Sequence, residues 1–154
     1  MASDKALSWV FAEEFVEENE LLAQAREAAT DLGADPVSTG VGAALRLLAA
    51  TCGAKAVLEI GTGAGVSGLW LLQGMSPDGV LTTIDQEVEF HKHACRAFAA
   101  AGIASQRTRL IAGRALDVLP RMAARGYDMM VIDAPNAEIP DYLDHALRVL
   151  RPGG

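Results

Sequence analysis

Glu59, Asp85 and Asp133 each stand at or next to the end of a short apolar run. The first of these runs, Ala56-Val57-Leu58-Glu59-Ile60, passes straight into Gly61-Thr62-Gly63-Ala64-Gly65-Val66-Ser67. An apolar run of that length reads as a buried strand. Alternating glycines let the chain turn sharply and let a ligand approach with no Cβ in the way. The helix expected next offers unpaired N–H groups and the positive end of its dipole. Strand, glycine loop and helix in this order suggest a small-molecule site at the edge of a parallel sheet. Asp85, about two dozen residues past the loop, suits a ribose diol, since a carboxylate accepts two hydroxyl hydrogen bonds. Asp133 can face a cation, either an ammonium group or a metal.

Such side chains need a frame, and the rest of the pattern supplies one. Residues 8–31 read as one helix or two, stopped by Gly33-Ala34-Asp35-Pro36. Ser38 or Thr39 can cap the next helix, with Val41, Ala44, Leu45, Leu48 and Ala49 on one face. Strands are expected at residues 55–60, 80–85, 109–113 and 127–133. Helices are expected from the glycine loop to about Gln73, then over 86–101, 115–125 and 140–150. This alternation predicts an α/β fold of right-handed βαβ units on a parallel sheet. Ligands then bind beyond the carboxyl ends of the strands. That edge holds Glu59 with residues 61–65, Asp85, Gly113 with Ala115, and Asp133.

Composition narrows the class. A chain of 154 residues, 51% apolar, can bury a core and reads as one globular unit. No apolar run reaches the ~20 residues that span a bilayer. The first residues lack the basic-then-apolar order of a signal peptide. A cytoplasmic location follows by default. Cys52 and Cys95 have no pairing or metal spacing and read as buried reduced thiols. The net charge of −7 is uneven: residues 1–35 hold nine acids and two bases, whereas 36–154 hold eleven of each. We therefore divide the chain into an acidic helical segment, 1–35, and a neutral binding domain, 36–154. The acidic run reads as a solvated helix face or a docking segment. Without a basic face, nucleic-acid binding is not expected. His91 and His93, two apart on a helix, do not share a face as metal ligands would. Asp117, Asp141 and Asp144 read as solvated charges, Asp128 as a turn residue, and Trp9 and Trp70 as core or interface.

Two known patterns compete for the glycine loop. Gly63-Ala64-Gly65-Val66-Ser67-Gly68 matches the dinucleotide pattern Gly-x-Gly-x-x-Gly, which keeps a nicotinamide oxidoreductase open. Against it, Gly63 is the third residue after the strand. The run Val57 to Ser67 more closely resembles the first motif of class I S-adenosylmethionine-dependent methyltransferases, in the catechol/caffeoyl-CoA O-methyltransferase-like branch. Pro36-Val37-Ser38, Leu81-Thr82-Thr83-Ile84-Asp85, Ile111-Ala112-Gly113-Arg114-Ala115, the run 127–133 and Leu150-Arg151-Pro152-Gly153-Gly154 continue the likeness in the family's order. It is nearest to actinobacterial members.

The resemblance implies a Rossmann-like fold and a role at each matching position. Val37 would touch the methionine part of S-adenosyl-L-methionine. Glu59 and the Gly61-Thr62-Gly63 backbone would hold its amino-acid end, with Ser67 adding a hydroxyl. Asp85 would take the ribose diol, with Gln86 beside the adenine, and Gly113, Arg114 and Ala115 would border that ring. Asp133, the one catalytic assignment, would meet the amino group, or a divalent metal such as Mg²⁺ where the family uses one. No metal ligand is assigned here. The reaction implied is methyl transfer to a hydroxyl of a small-molecule acceptor, in a homodimer suggested by the family and by the apolar content of residues 8–32.

Two departures bear on this. Metal-dependent relatives carry Asp-Ala-Asp-Lys where this chain reads Asp133-Ala134-Pro135-Asn136, and an amide cannot serve as the base that the lysine could be. The sequence also stops at Gly154, before a fifth strand. The apolar fourth strand would then be a bare sheet edge, so about three further strands or a covering partner are expected. A third reading, a cofactor-binding module without catalysis, follows from these departures.

Overall fold

β1 (Ala56–Ile60) lies at the centre of the sheet because Val57, Leu58 and Glu59 are buried on both faces. It pairs in parallel with β2 (Val80–Asp85) on one side and β4 (Met129–Ile132) on the other. β3 (Thr108–Ala112) pairs in parallel with β2, giving the order β3-β2-β1-β4. The register sets Glu59 beside Thr83 and Val131. This is the expected α/β parallel sheet with helices on its faces. The computed structural model describes residues 4–134 and 136–154, apart from the Asn136 side chain. The sequence readings at Met1–Ser3, Pro135 and the Asn136 side chain lie outside the described residues.

Seven helices are described: α1 (Asp4–Glu14), α2 (Glu20–Asp31), α3 (Thr39–Thr51), α4 (Val66–Gly74), α5 (Val88–Ala100), α6 (Ala115–Val118) and α7 (Ile139–Val149). None is long and apolar enough to cross a membrane among the described residues. The two-residue period of β1 divides the core. Val57 joins Leu22, Leu69, Trp70, Leu81 and Phe98, whereas Leu58 and Ile60 join Ile84, Leu119, Tyr142 and Val149. Glu59 shares the side of Val57. α4 is apolar around its circumference, and every residue from Val66 to Leu72 is buried.

The helical stretch 8–31 resolves into two helices, with Asn19 capping α2 by accepting from the Leu22 N–H at 3.0 Å. Two members of the acidic run face inward. Glu18 receives two hydrogen bonds from Arg26, at 2.8 and 2.5 Å, and one from Trp70 at 3.4 Å. Glu13 accepts from the Ser38 hydroxyl at 2.8 Å and the Gly40 N–H at 2.9 Å, tying α1 to the start of α3. Glu14, Glu17, Glu20 and Glu27 are exposed, as a solvated face requires.

Several expectations need correction. On α3, Val41, Ala44 and Leu48 are exposed; Gly42 and Ala49 are the buried residues. Small residues carry that face because α4 lies too close for larger ones: a Cβ on Gly42 would come within 2.3 Å of the Trp70 ring, and one on Gly74 within 2.2 Å of the Arg46 carbonyl. Cys52 and Cys95 are free and exposed rather than buried. Trp70 is core, within its expected reading, and Trp9, 65% exposed, keeps only the interface alternative. The helix expected over 115–125 ends at Val118 and tightens into a 3₁₀ turn at Leu119–Arg121. Pro120 has no N–H for a helical bond and its ring clashes with the preceding turn. Arg148 donates to the carbonyls of Leu119 and Met122, at 2.5 and 2.8 Å, and so fastens this turn to α7. Asp128 is 5% exposed and accepts from the Lys55 and Ala56 N–H groups at 2.6 and 2.8 Å. Paired also with Arg151, it clamps the entry of β4 to that of β1.

Candidate functional site

The site begins with backbone geometry at the end of β1. Gly61, Gly63 and Gly65 all have positive φ, which favours glycine. The Gly61 N–H bonds the Ile84 carbonyl at 2.9 Å, and an added Cβ would meet the Asp133 carbonyl oxygen at 2.1 Å. Gly61 thus lets the ends of β1, β2 and β4 converge. Nothing lies within 4 Å of a Cβ placed on Gly63, so that residue faces open space.

That space is a cleft with two lobes, each of about 430 Å³. The first lies between the α2–α3 loop and the glycine loop. Val37, Gly61, Thr62, Gly63, Ser67, Asp85 and Asp133 line it. The second lies over the ends of β2 and β3 and takes in Gln86, Gly113, Arg114 and Ala115. Gly61, Asp85, Asp133 and Ala134 belong to both lobes. The structure therefore brings eleven of the twelve residues singled out from the sequence to one continuous surface.

Glu59 is the twelfth, and it lines neither lobe. It is 0% exposed, beneath the cleft on the α4 side of the sheet. Its direct hold on a ligand's amino-acid end is thereby corrected: β1 turns the side chain into the core. Thr83 donates to Glu59 Oε2 at 2.7 Å, and the Thr62 and Thr83 hydroxyls are 2.7 Å apart. Burial pushes the Glu59 carboxyl up to about 7; the Thr83 hydrogen bond and the nearby Ser67 hydroxyl oppose the shift, and the charges of Asp133 and Asp85 add to it.

Asp85 departs from a simple diol acceptor. Its Oδ2 accepts from the Thr62 and Gly63 N–H groups at 2.9 and 3.1 Å, and its Oδ1 accepts from the Glu87 N–H at 3.0 Å. The carboxylate holds the glycine loop in shape and keeps acceptor capacity chiefly on Oδ1. Asp133 is held above the usual carboxylate range by desolvation first and by the nearby charge of Asp35 second. Asp35, Asp85 and Asp133 all line the first lobe, and among the described residues no Lys, Arg or His does so. Cations are favoured there.

Four charged or aromatic lining residues escaped the sequence reading. Asp35 and Phe90 complete the first lobe. Glu138 and Tyr142 complete the second. Arg114 Nη2 donates to Glu138 Oε1 at 2.7 Å, and the Tyr142 hydroxyl donates to Oε2 of the same carboxylate. Burial, then that hydrogen bond, pushes Tyr142 up to about 12. Glu138 is the N-cap of α7, and its four-residue spacing from Tyr142 was a visible sign that the two side chains can meet. Asp35 and Phe90 carried no comparable sign. No group of three or more His, Cys, Asp or Glu is arranged to hold a metal ion among the described residues.

Comparison with known proteins agrees with this architecture. A family profile described as O-methyltransferase matches residues 12–154. A Mycobacteroides abscessus protein, provisionally named an O-methyltransferase, is 58% identical over 143 residues, which are 93% of this chain and 66% of that protein. A Mycobacterium tuberculosis relative with a similar provisional name is 57% identical over 146 residues, 95% of this chain and 65% of its own. The chain thus spans about two thirds of the length of these curated relatives. Among solved structures, the O-methyltransferase TomG of Streptomyces achromogenes, involved in tomaymycin synthesis and crystallised with S-adenosylmethionine, superposes with a TM-score of 0.86 at 36% identity, over 99% of this chain and 71% of that one. A Bacillus cereus O-methyltransferase in complex with S-adenosylhomocysteine gives 0.85 at 28% identity, over 96% and 69%. These relatives lend no support to a nicotinamide oxidoreductase. With its parallel sheet, its glycine loop and its match across residues 12–154, the chain belongs to the O-methyltransferase family.

Proposed function

We propose that the protein binds S-adenosyl-L-methionine in the two-lobed cleft and serves transfer of the methyl group to a hydroxyl of a small-molecule acceptor. The observation that carries this reading is the charge of the first lobe: three aspartates and no basic side chain among its described lining residues. A ligand with an ammonium and a sulfonium group suits that lobe, and a nucleoside end suits the second. The glycine loop fits as well, since Gly63 leaves its Cβ position open.

In this reading Val37 packs along the methionine chain. Gly65, the N-cap of α4, supplies no side-chain cap, so first-turn N–H groups are free for a carboxylate. Ser67 adds a hydroxyl beside them. Asp133, at the joint of the lobes, holds the cationic centre and is the residue assigned to catalysis. Asp85 orders the loop and offers Oδ1 to the ribose, while Gln86, Gly113, Arg114 and Ala115 border the base. When bound, the sulfonium supplies an electrophilic methyl group. The chain's own work is placement and a preorganised field. Of the described residues in the acidic segment 1–35, Asp35 alone brings a carboxylate to the site, and 36–154 serves as the binding domain.

Calorimetry with S-adenosylmethionine and with NAD tests the cofactor; binding of NAD alone overturns the proposal. Methyl transfer to catechols, with Mg²⁺ and with chelator, tests the reaction and its metal requirement. We extend the proposal to a cytoplasmic homodimer. The exposed free thiols suit a reducing compartment, and Leu7, Trp9 and Phe11 of α1, with Phe15 just beyond it, form an exposed apolar surface. Gel filtration with light scattering checks the dimer.

A further inference from the structure

Glu59 is a charged residue type placed where solvent does not reach it. It is 0% exposed, and its Oε1 has no hydrogen-bond partner among the described residues. Burying a carboxyl with one oxygen unmatched is costly when it is ionised and much less so when it is protonated. Its other oxygen ends a chain of hydroxyls, Thr62 to Thr83 to Glu59, with both links at 2.7 Å. Thr62 stands on the glycine loop and lines the first lobe. The charged groups that bear on Glu59 are Asp85 from the end of β2 and Asp133 from the end of β4, both negative; α4 contributes the Ser67 hydroxyl.

The polarity of the hydroxyl chain depends on the proton. An ionised Glu59 only accepts, so Thr83 must donate to it and Thr62 must donate to Thr83. A protonated Oε2 can donate instead, which lets both hydroxyls reverse. Asp85 and Asp133 disfavour ionisation while their charges are uncompensated. A cation in the first lobe offsets those charges and removes that penalty.

We propose that Glu59 is a proton-linked positioning residue: a cationic ligand entering the first lobe drives its proton off to solvent and locks the Thr62–Thr83–Glu59 chain beneath the glycine loop. No bond of the ligand changes. The carboxylic O–H breaks, and the buffer takes the proton. This deepens the S-adenosylmethionine reading and rests on it.

The test is titration calorimetry of the protein with S-adenosylmethionine at pH 7, in buffers of differing ionisation enthalpy. The ligand's α-amino group also titrates near neutrality, so the readout is the difference between wild type and Glu59→Gln. Wild type should release about half a proton more per ligand than the variant at pH 7, and the difference should vanish at about pH 9. Equal proton counts at pH 7 overturn the inference. A second variant, Thr83→Val, removes the donor to Oε2 and keeps the test sharp should Glu59→Gln fail to fold. It should move the midpoint of the affinity–pH curve upward by about one unit; an unmoved midpoint overturns the inference. Absence of S-adenosylmethionine binding by wild type at every pH overturns the parent reading and this one with it, whereas binding with equal proton counts overturns this one alone.

Discussion

Glu59 and Gly61 are two residues apart and constrained in opposite ways. Burial raises the Glu59 carboxyl from an ordinary 4.5 to about 7. The folded chain therefore keeps a proton that the unfolded chain gives up between those values. Its contribution to stability is fully present below about pH 4.5 and is lost as pH rises through about 7, by on the order of 3 kcal/mol at most. Urea titrations across pH 4–8 should show this loss in wild type and a flatter profile in Glu59→Gln. Gly61 is limited by space. At φ +93°, with the Asp133 carbonyl 2.1 Å from any Cβ, alanine must push β4 away from β1. Gly61→Ala should cost more than about 2 kcal/mol and abolish S-adenosylmethionine binding in calorimetry. An alanine variant that keeps wild-type affinity would show that the strand ends need not converge.

At the level of elements, stability depends on a few tight contacts. Gly42→Ala should cost about 1–3 kcal/mol in chemical denaturation, because Trp70 is buried and has nowhere to move. Asp128→Ala leaves the Lys55 and Ala56 N–H groups without an acceptor and should cost about 2–4 kcal/mol, with the start of β4 first to lose hydrogen-exchange protection. These contacts also explain what was legible in the sequence. The four strands were readable because short apolar runs are local signals, three of them ending in or next to a carboxylate, and the site residues on those ends came with them. The apolar face of α3 was right at Leu45 and Ala49 but misread at Val41 and Leu48, which hydrophobicity marks, whereas close approach to α4 selected Gly42. α6 was overextended because periodicity outweighed Pro120. Glu59 was placed by motif on the ligand, but strand alternation turned it inward. Asp35 and Phe90 became visible only when the loop after α2 and the first turn of α5 met across the cleft.

At the scale of the molecule, Leu22 and Ala25 of the acidic segment share one core cluster with Val57 of β1 and Trp70 of α4. Arg26→Ala removes the partner of the half-buried Glu18, and its effect on thermal stability should spread to the whole fold rather than release α2 alone. α4 carries the same point further. Its N-terminus opens on the cleft at Val66 and Ser67, while its body is enclosed between α3 and the sheet. A ligand gripping that end grips the core. Occupancy should raise the melting temperature of the entire protein, equivalent to about 2.7 kcal/mol at a hundredfold excess over Kd, and should slow amide exchange in β1, β2 and α4 together. The protein would then report its own ligand: a melting curve taken against candidate nucleosides and sulfonium compounds becomes a specificity profile, with no acceptor or catalytic turnover needed.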